Sequence, residues 1–179
     1  MRKHEPDTEK LRGVTRRSFL KTAAAAAPLI VLPHVAFGAS KLNIAVIGAG
    51  GRGSEDLQQL DDENIVALCD VDQERAAGAF KKYPKAKRYT DFRVMLEKEK
   101  GIEAVVVATP DHTHAVAAMA AIKHGKHVYC EKPLTRTVRE ARLLAEAARA
   151  AKVATQMGNQ GMAFEGNRLI NEWIWAGAI

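Results

Sequence analysis

Lys41 to Asp70 reads KLNIAVIGAGGRGSEDLQQLDDENIVALCD, and no other stretch limits the possible folds of this chain so strongly. Leu42–Ile47 is a short apolar run rich in β-branched residues, the pattern of a buried strand. It runs directly into Gly48-Ala49-Gly50-Gly51-Arg52-Gly53, and a helical pattern follows over Ser54–Leu60. A second strand, Ile65–Cys69, ends on Asp70, 22 residues beyond Gly48. Strand, G-x-G-x-x-G, helix, strand and acid in that order predict a dinucleotide site; the glycines alone would fit a turn before an unrelated helix equally well. Gly48 allows the tight turn, Gly50 lets the backbone approach a pyrophosphate, and Gly53 lets helix and strand pack closely. Backbone N–H groups of the loop and the positive end of the helix then hold the phosphate charge. Asp70 can accept both hydroxyls of an adenosine ribose, and its charge repels a 2′-phosphate, so NAD is favoured over NADP.

The pattern repeats in kind along the chain. Helical segments over Asp72–Lys82, from Thr90-Asp91 to Lys98, and over Thr113–Lys123, Thr137–Ala151 and Glu165–Trp175 alternate with strands at Lys87–Tyr89, Glu103–Ala108, His127–Cys130 and Val153–Met157. This alternation predicts an α/β fold, a doubly wound parallel sheet of the Rossmann type with helices on both faces and strand order 3-2-1-4-5-6. Ligands of such sheets sit beyond the carboxyl ends of the strands. The informative loops are therefore Gly48–Gly53, Asp70, Thr109–His114, Glu131–Pro133 and Gly158–Gly161. Cys69 and Cys130 fall at the ends of the second and fifth strands, three strand spacings or roughly 14 Å apart, too far for a disulfide. Two cysteines supply no metal-ligand cluster, and the i, i+2 spacing of His112 and His114 puts them on different helix faces, so no metal site is expected.

The 179 residues carry a net charge of +6, but seven basic and three acidic residues lie within positions 1–21, leaving +2 for the rest. The basicity belongs to the leader, and nothing resembles a nucleic-acid surface. Thr15-Arg16-Arg17-Ser18-Phe19-Leu20-Lys21 precedes a moderately apolar, alanine-rich run over Thr22–Val35, broken by Pro28 and Pro33; Ala36-Phe37-Gly38 offers small residues for signal-peptidase cleavage. The run is too short and broken to span a membrane. Residues 1–38 resemble a twin-arginine export signal, which implies recognition by the twin-arginine translocase, then signal peptidase, and a periplasmic or otherwise exported product. The dinucleotide-binding domain is expected over 41–176, with 177–179 opening a linker.

Glu131-Lys132-Pro133 directly after His-Val-Tyr-Cys, together with Ala-Thr-Pro-Asp-His-Thr-His after the fourth strand, carries a family resemblance. From residue 41 to 179 the chain resembles the glucose–fructose oxidoreductase, inositol dehydrogenase and rhizopine-catabolism (Gfo/Idh/MocA) family, some of whose members also bear twin-arginine leaders. The resemblance implies that Lys132 stands at the nicotinamide as the catalytic residue, binding a substrate hydroxyl and assisting proton transfer. It implies that Glu131 lies near the nicotinamide ribose and that Pro133 follows a cis peptide. A lysine suits that task when partial burial lowers its pKa. Thr109 and Pro110 are read as walls of the cofactor cleft, and His114 as structural or cofactor-adjacent. Asn159 and Gln160 stand where many members have an arginine; an amide such as Gln160 could still bond the cofactor carboxamide or a sugar hydroxyl. Ala49, Gly51 and Arg52 complete the cofactor-binding set with Gly48, Gly50, Gly53 and Asp70. Trp173 and Trp175 are expected to pack.

Family members are about twice as long, with a second, α+β domain that supplies the substrate pocket and a route to homo-oligomers. The sequence is thus expected to be an N-terminal fragment that does no chemistry alone. The function so implied is that of an exported oxidoreductase transferring hydride between a sugar, polyol or related hydroxy compound and a tightly bound NAD. A redox-neutral NAD-dependent glycosidase or lyase, and a non-catalytic nucleotide-binding module, are the alternatives.

Overall fold

A computed structural model describes residues 41–178. The leader expected over residues 1–38 lies outside the described residues. The chain runs β1 (Asn43–Ile47), α1 (Arg52–Gln58), β2 (Asn64–Cys69), α2 (Ala77–Lys82), β3 (Lys87–Tyr89), α3 (Phe92–Lys98) and β4 (Ala104–Val107). It continues through a 3₁₀ turn (Asp111–Thr113) into α4 (His114–Lys123), β5 (His127–Glu131), α5 (Val138–Ala151), β6 (Thr155–Gly158), a second 3₁₀ turn (Gln160–Ala163) and α6 (Glu165–Trp175). The six strands are parallel in the order β3-β2-β1-β4-β5-β6, the arrangement expected from the alternation. Ile47 is in register with Cys69 on one side and Val107 on the other, so three strand ends meet beside the glycine loop.

Period-two alternation along the strands builds two cores. Ala45, Ile47, Val105, Val107 and Cys130 face α3, α4 and α5, which contribute Met95, Leu96, Ala118, Ile122 and Leu144. Ile44, Val46, Leu68 and Val106 face α1 and α2, through Leu57, Ala79 and Phe80. Beside α1, over β4 to β6, this second face opens into a cavity of about 1120 Å³ lined by Val106, Tyr129, Thr155 and Phe164 among others. Cys69 and Cys130 are free and buried, and burial pushes both thiols up to about 12.

Three expectations shift. The chain after Asp70 enters helix only at Ala77, because the Asp72 carboxylate accepts the Arg75 N–H (2.9 Å) and holds a turn first. β6 begins at Thr155 because the Val153 N–H closes α5 by donating to the Ala148 carbonyl (3.2 Å), after Lys152 has turned left-handed at φ 56°. The packing expected of Trp173 and Trp175 is not seen: they are 51% and 83% exposed, and no residue of α6 is buried.

Two close approaches of backbone around the glycine loop, one to the end of β4 and one between β1 and α1, admit no side chain. Gly48 has φ 86°, and a Cβ there would lie 2.7 Å from the Ala108 carbonyl oxygen. A Cβ on Gly53 would lie 1.9 Å from the Gly48 carbonyl oxygen, well inside contact distance. Backbone faces backbone, so nothing can rotate away. Gly53→Ala is therefore expected to destabilise the chain by about 3 kcal/mol or more, read from denaturant unfolding.

Candidate functional site

The carboxyl edge of the sheet gathers the glycine loop, Asp70, the Thr109–Pro110 segment and the Glu131-Lys132-Pro133 turn. The Gly48 N–H donates to the Cys69 carbonyl (2.8 Å), pinning the loop to β2. The Gly50 N–H donates to Asp70 Oδ2 (2.8 Å), and the Asp72 N–H donates to Asp70 Oδ1 (2.9 Å). Each carboxylate oxygen keeps a free lone pair for a further donor. Gly51 precedes α1 with φ 53°, and no side chain caps that helix, which leaves first-turn N–H groups for a ligand. Thr109, half-buried beside Gly48, has a buried Oγ1 with no hydrogen-bond partner. A cradle that a Cβ would fill, an acid at its lip and an orphaned hydroxyl fit an adenine dinucleotide.

The other proposed contacts divide. Ala49 is fully buried under the loop, and Pro110 is exposed at the cleft rim. His114 is only 1% exposed, with Nδ1 2.6 Å from the Pro133 carbonyl and Nε2 2.7 Å from the Thr109 carbonyl. The ring ties the β4 loop to the Pro133 turn. The Lys132–Pro133 peptide is cis. Lys132 itself is exposed, so the partial burial expected of it is not supplied by the described residues.

Glu131, Gln160 and Arg52, all read from the sequence as cofactor-binding, meet one another beside this edge. Glu131 is 4% exposed and Oε1 accepts from Gln160 Nε2 (2.7 Å), Arg52 Nη2 (3.3 Å) and the Tyr129 hydroxyl (3.4 Å). Gln160 Nε2 also donates to the Tyr129 hydroxyl (2.7 Å). The Arg52 guanidinium meets Glu55 (2.7 Å), Asp56 (3.1 Å) and Glu131. Burial outweighs attraction to Arg52 at Asp56, which is 8% exposed, and the neighbouring Glu131 charge adds to it; the carboxyl is raised to about 6.

Two residues of this site lie outside the motifs read from the sequence. One is Asp56, whose partner Glu131 is 75 residues away. The other is Arg75, whose guanidinium lies over the loop: a Cβ on Gly51 would stand 2.8 Å from its Nη2. The spacing of Arg75 to Asp70, five residues across a turn, is the one cue that could have drawn attention to it.

The family model described as "Oxidoreductase family, NAD-binding Rossmann fold" (GFO_IDH_MocA) matches residues 42–159. The chain belongs to the Gfo/Idh/MocA oxidoreductase family. An inositol 2-dehydrogenase of Salmonella typhimurium is 34% identical over 111 residues, 59% of this chain and 33% of that protein. A glycosyl hydrolase family 109 protein of Stenotrophomonas maltophilia is 37% identical over 131 residues, 65% of this chain and 29% of that protein. Among solved structures, GenD2 from gentamicin A biosynthesis, in complex with NAD, shares 29% identity at a TM-score of 0.63, over 69% of this chain and 36% of its own. The chain thus spans about a third of the length of these proteins.

The raised Asp56 pKa has a stability consequence. An aspartate at 3.8 in the unfolded chain and about 6 in the folded one binds more protons when folded, so stability falls as pH rises from about 4 to 6. Asp56→Asn keeps the uncharged form at every pH. The variant is expected to match the wild type near pH 4 and to exceed it by about 1–3 kcal/mol at pH 7, measured by denaturant unfolding at both pH values.

Proposed function

We propose that this chain is the cofactor domain of an exported, NAD-dependent oxidoreductase acting on a secondary hydroxyl of a sugar, polyol or related compound. The single observation that carries the reading is the closure of the Gly48–Gly53 loop on Asp70, with Lys132 on the same sheet edge. The Salmonella relative named inositol 2-dehydrogenase and the NAD-bound GenD2 structure support the substrate class and the cofactor.

In this reading loop N–H groups hold the pyrophosphate and Asp70 takes the adenosine ribose hydroxyls, its charge favouring NAD over NADP. Arg75 lies over Gly50 and Gly51, within reach of the adenosine half. The bound nicotinamide supplies the hydride acceptor. Lys132 Nζ holds the substrate hydroxyl and relays its proton as the carbon–hydrogen bond gives up hydride. His114 acts through others, holding the Thr109 and Pro133 carbonyls so that both cleft walls keep their spacing. The downstream domain closes the substrate side and excludes water. Residues 1–38 serve as the twin-arginine address, so that the protein crosses the membrane folded, with NAD already bound.

The test is a paired measurement on the full-length protein. Binding of NAD and NADP is titrated, and reduced nicotinamide is followed with myo-inositol and other polyols. NAD is expected to bind at least tenfold more tightly than NADP. Lys132→Ala is expected to lower kcat by about 100-fold or more while NAD affinity stays within about threefold. Equal turnover by the variant would remove Lys132 from the chemistry, and sugar release without net reduced nicotinamide would point to redox-neutral catalysis instead.

A further inference from the structure

The buried acids behind the loop have no part in the mechanism above. Asp56 sits one helical turn beyond Arg52 on α1, and Glu131 ends β5 beside Lys132; both carboxylates lie within ion-pair distance of the same nitrogen, Arg52 Nη2, at 3.1 and 3.3 Å, and Glu131 accepts a hydrogen bond from it. Asp56 Oδ2 is buried and has no hydrogen-bond partner. That oxygen has lost its water without gaining a donor, the arrangement in which a carboxyl holds a proton of its own.

We propose that Asp56 and Glu131 form a proton-holding carboxyl pair that couples occupation of the glycine loop to uptake of a proton from solvent. The inference rests on reading Gly48–Gly53 as a dinucleotide site.

The charges around the pair give the direction. α1 supplies one cation, Arg52, and one more acid, Glu55; β5 supplies Glu131 and the Tyr129 phenol; the turn after β6 supplies the neutral Gln160 amide. Three carboxylates thus compete for one guanidinium that is itself 45% exposed. Gly53 is three residues before Asp56 on the same helix, so a pyrophosphate in the loop brings two negative charges close to the pair. Arg52, at the start of α1, is drawn toward the same phosphates and away from the acids. Both effects disfavour the ionised Asp56. With Asp56 already near 6 in the ligand-free chain, the added anion moves it upward through neutrality. The step is a protonation only: one carboxylate takes one proton from buffer, and no bond in the ligand changes.

The same link runs from the cofactor to the catalytic turn. Glu131 precedes Lys132, and its carboxylate is held by Arg52, Tyr129 and Gln160. A protonated Asp56 becomes a donor in place of the Arg52 bond that the phosphates withdraw. Glu131 then keeps a partner when the loop is filled.

Isothermal titration of the full-length protein with NAD, in buffers of different ionisation enthalpy, counts the protons directly. Net uptake is expected near pH 6.5, and Kd is expected to rise by about fivefold between about pH 5.5 and 7.5. Asp56→Asn should abolish the uptake and hold Kd near the wild-type low-pH value. Glu131→Gln, which removes the neighbouring charge, should reduce the uptake. Binding of NAD without proton uptake, or uptake that survives Asp56→Asn, would overturn the inference while leaving the dinucleotide site intact. Failure of NAD to bind at any pH would overturn both.

Discussion

The contact between the Gly48 carbonyl and α1, at a point where a Cβ would stand 1.9 Å from that oxygen, sets the rest of the architecture. It brings the start of α1 against the end of β1 and aims the loop N–H groups at the carboxyl edge of the sheet. The Gly50 N–H, donated to Asp70, then fixes the distance from the loop to β2. With β1 between β2 and β4, that edge also receives the Thr109 and Lys132 loops from neighbouring strands. One backbone approach therefore gathers, into a single cleft, residues up to 84 positions apart.

The sheet uses its residues economically in support of that cleft. Small side chains, Ala117, Ala118 and Ala121, let α4 lie close to β4 and β5, and His114 opens that helix. Its two ring contacts tie together loops that would otherwise be fixed only at their strand ends. On the opposite face α1 and α2 cover the first half of the sheet, and the polar cluster of Arg52, Asp56, Glu131 and Gln160 stands at the margin of the open half. Charge in such a place is costly, and the pairing through one guanidinium only partly offsets it.

How much of this the sequence discloses depends on the range of the interaction. β1, β2, β4 and β5 are legible because each is an apolar, β-branched run between turn signals, whereas β3 (Lys-Arg-Tyr) and β6 (Thr-Gln-Met-Gly) carry no such run; the fingerprint is legible because its parts lie within 30 residues. Element edges are less so: Asp72 and Val153 are drawn into turns by single hydrogen bonds that no periodicity reports. The orientations of Glu131, Gln160 and Arg52 are not legible at all. Beside local contacts such as Arg52 to Glu55 and Asp56, the contacts that join these three side chains to one another span 29 to 79 residues. A motif fixes where a backbone goes; the side chain follows whichever charge the fold delivers to it.

What lies against the glycine loop decides the function of the whole sheet edge. A crystal structure of the protein with NAD measures it most directly. The expected result is a pyrophosphate over Gly48–Gly53 and the adenosine ribose hydroxyls on the Asp70 carboxylate. A dinucleotide bound elsewhere on the sheet edge, or Asp70 turned away from the ribose, would contradict it.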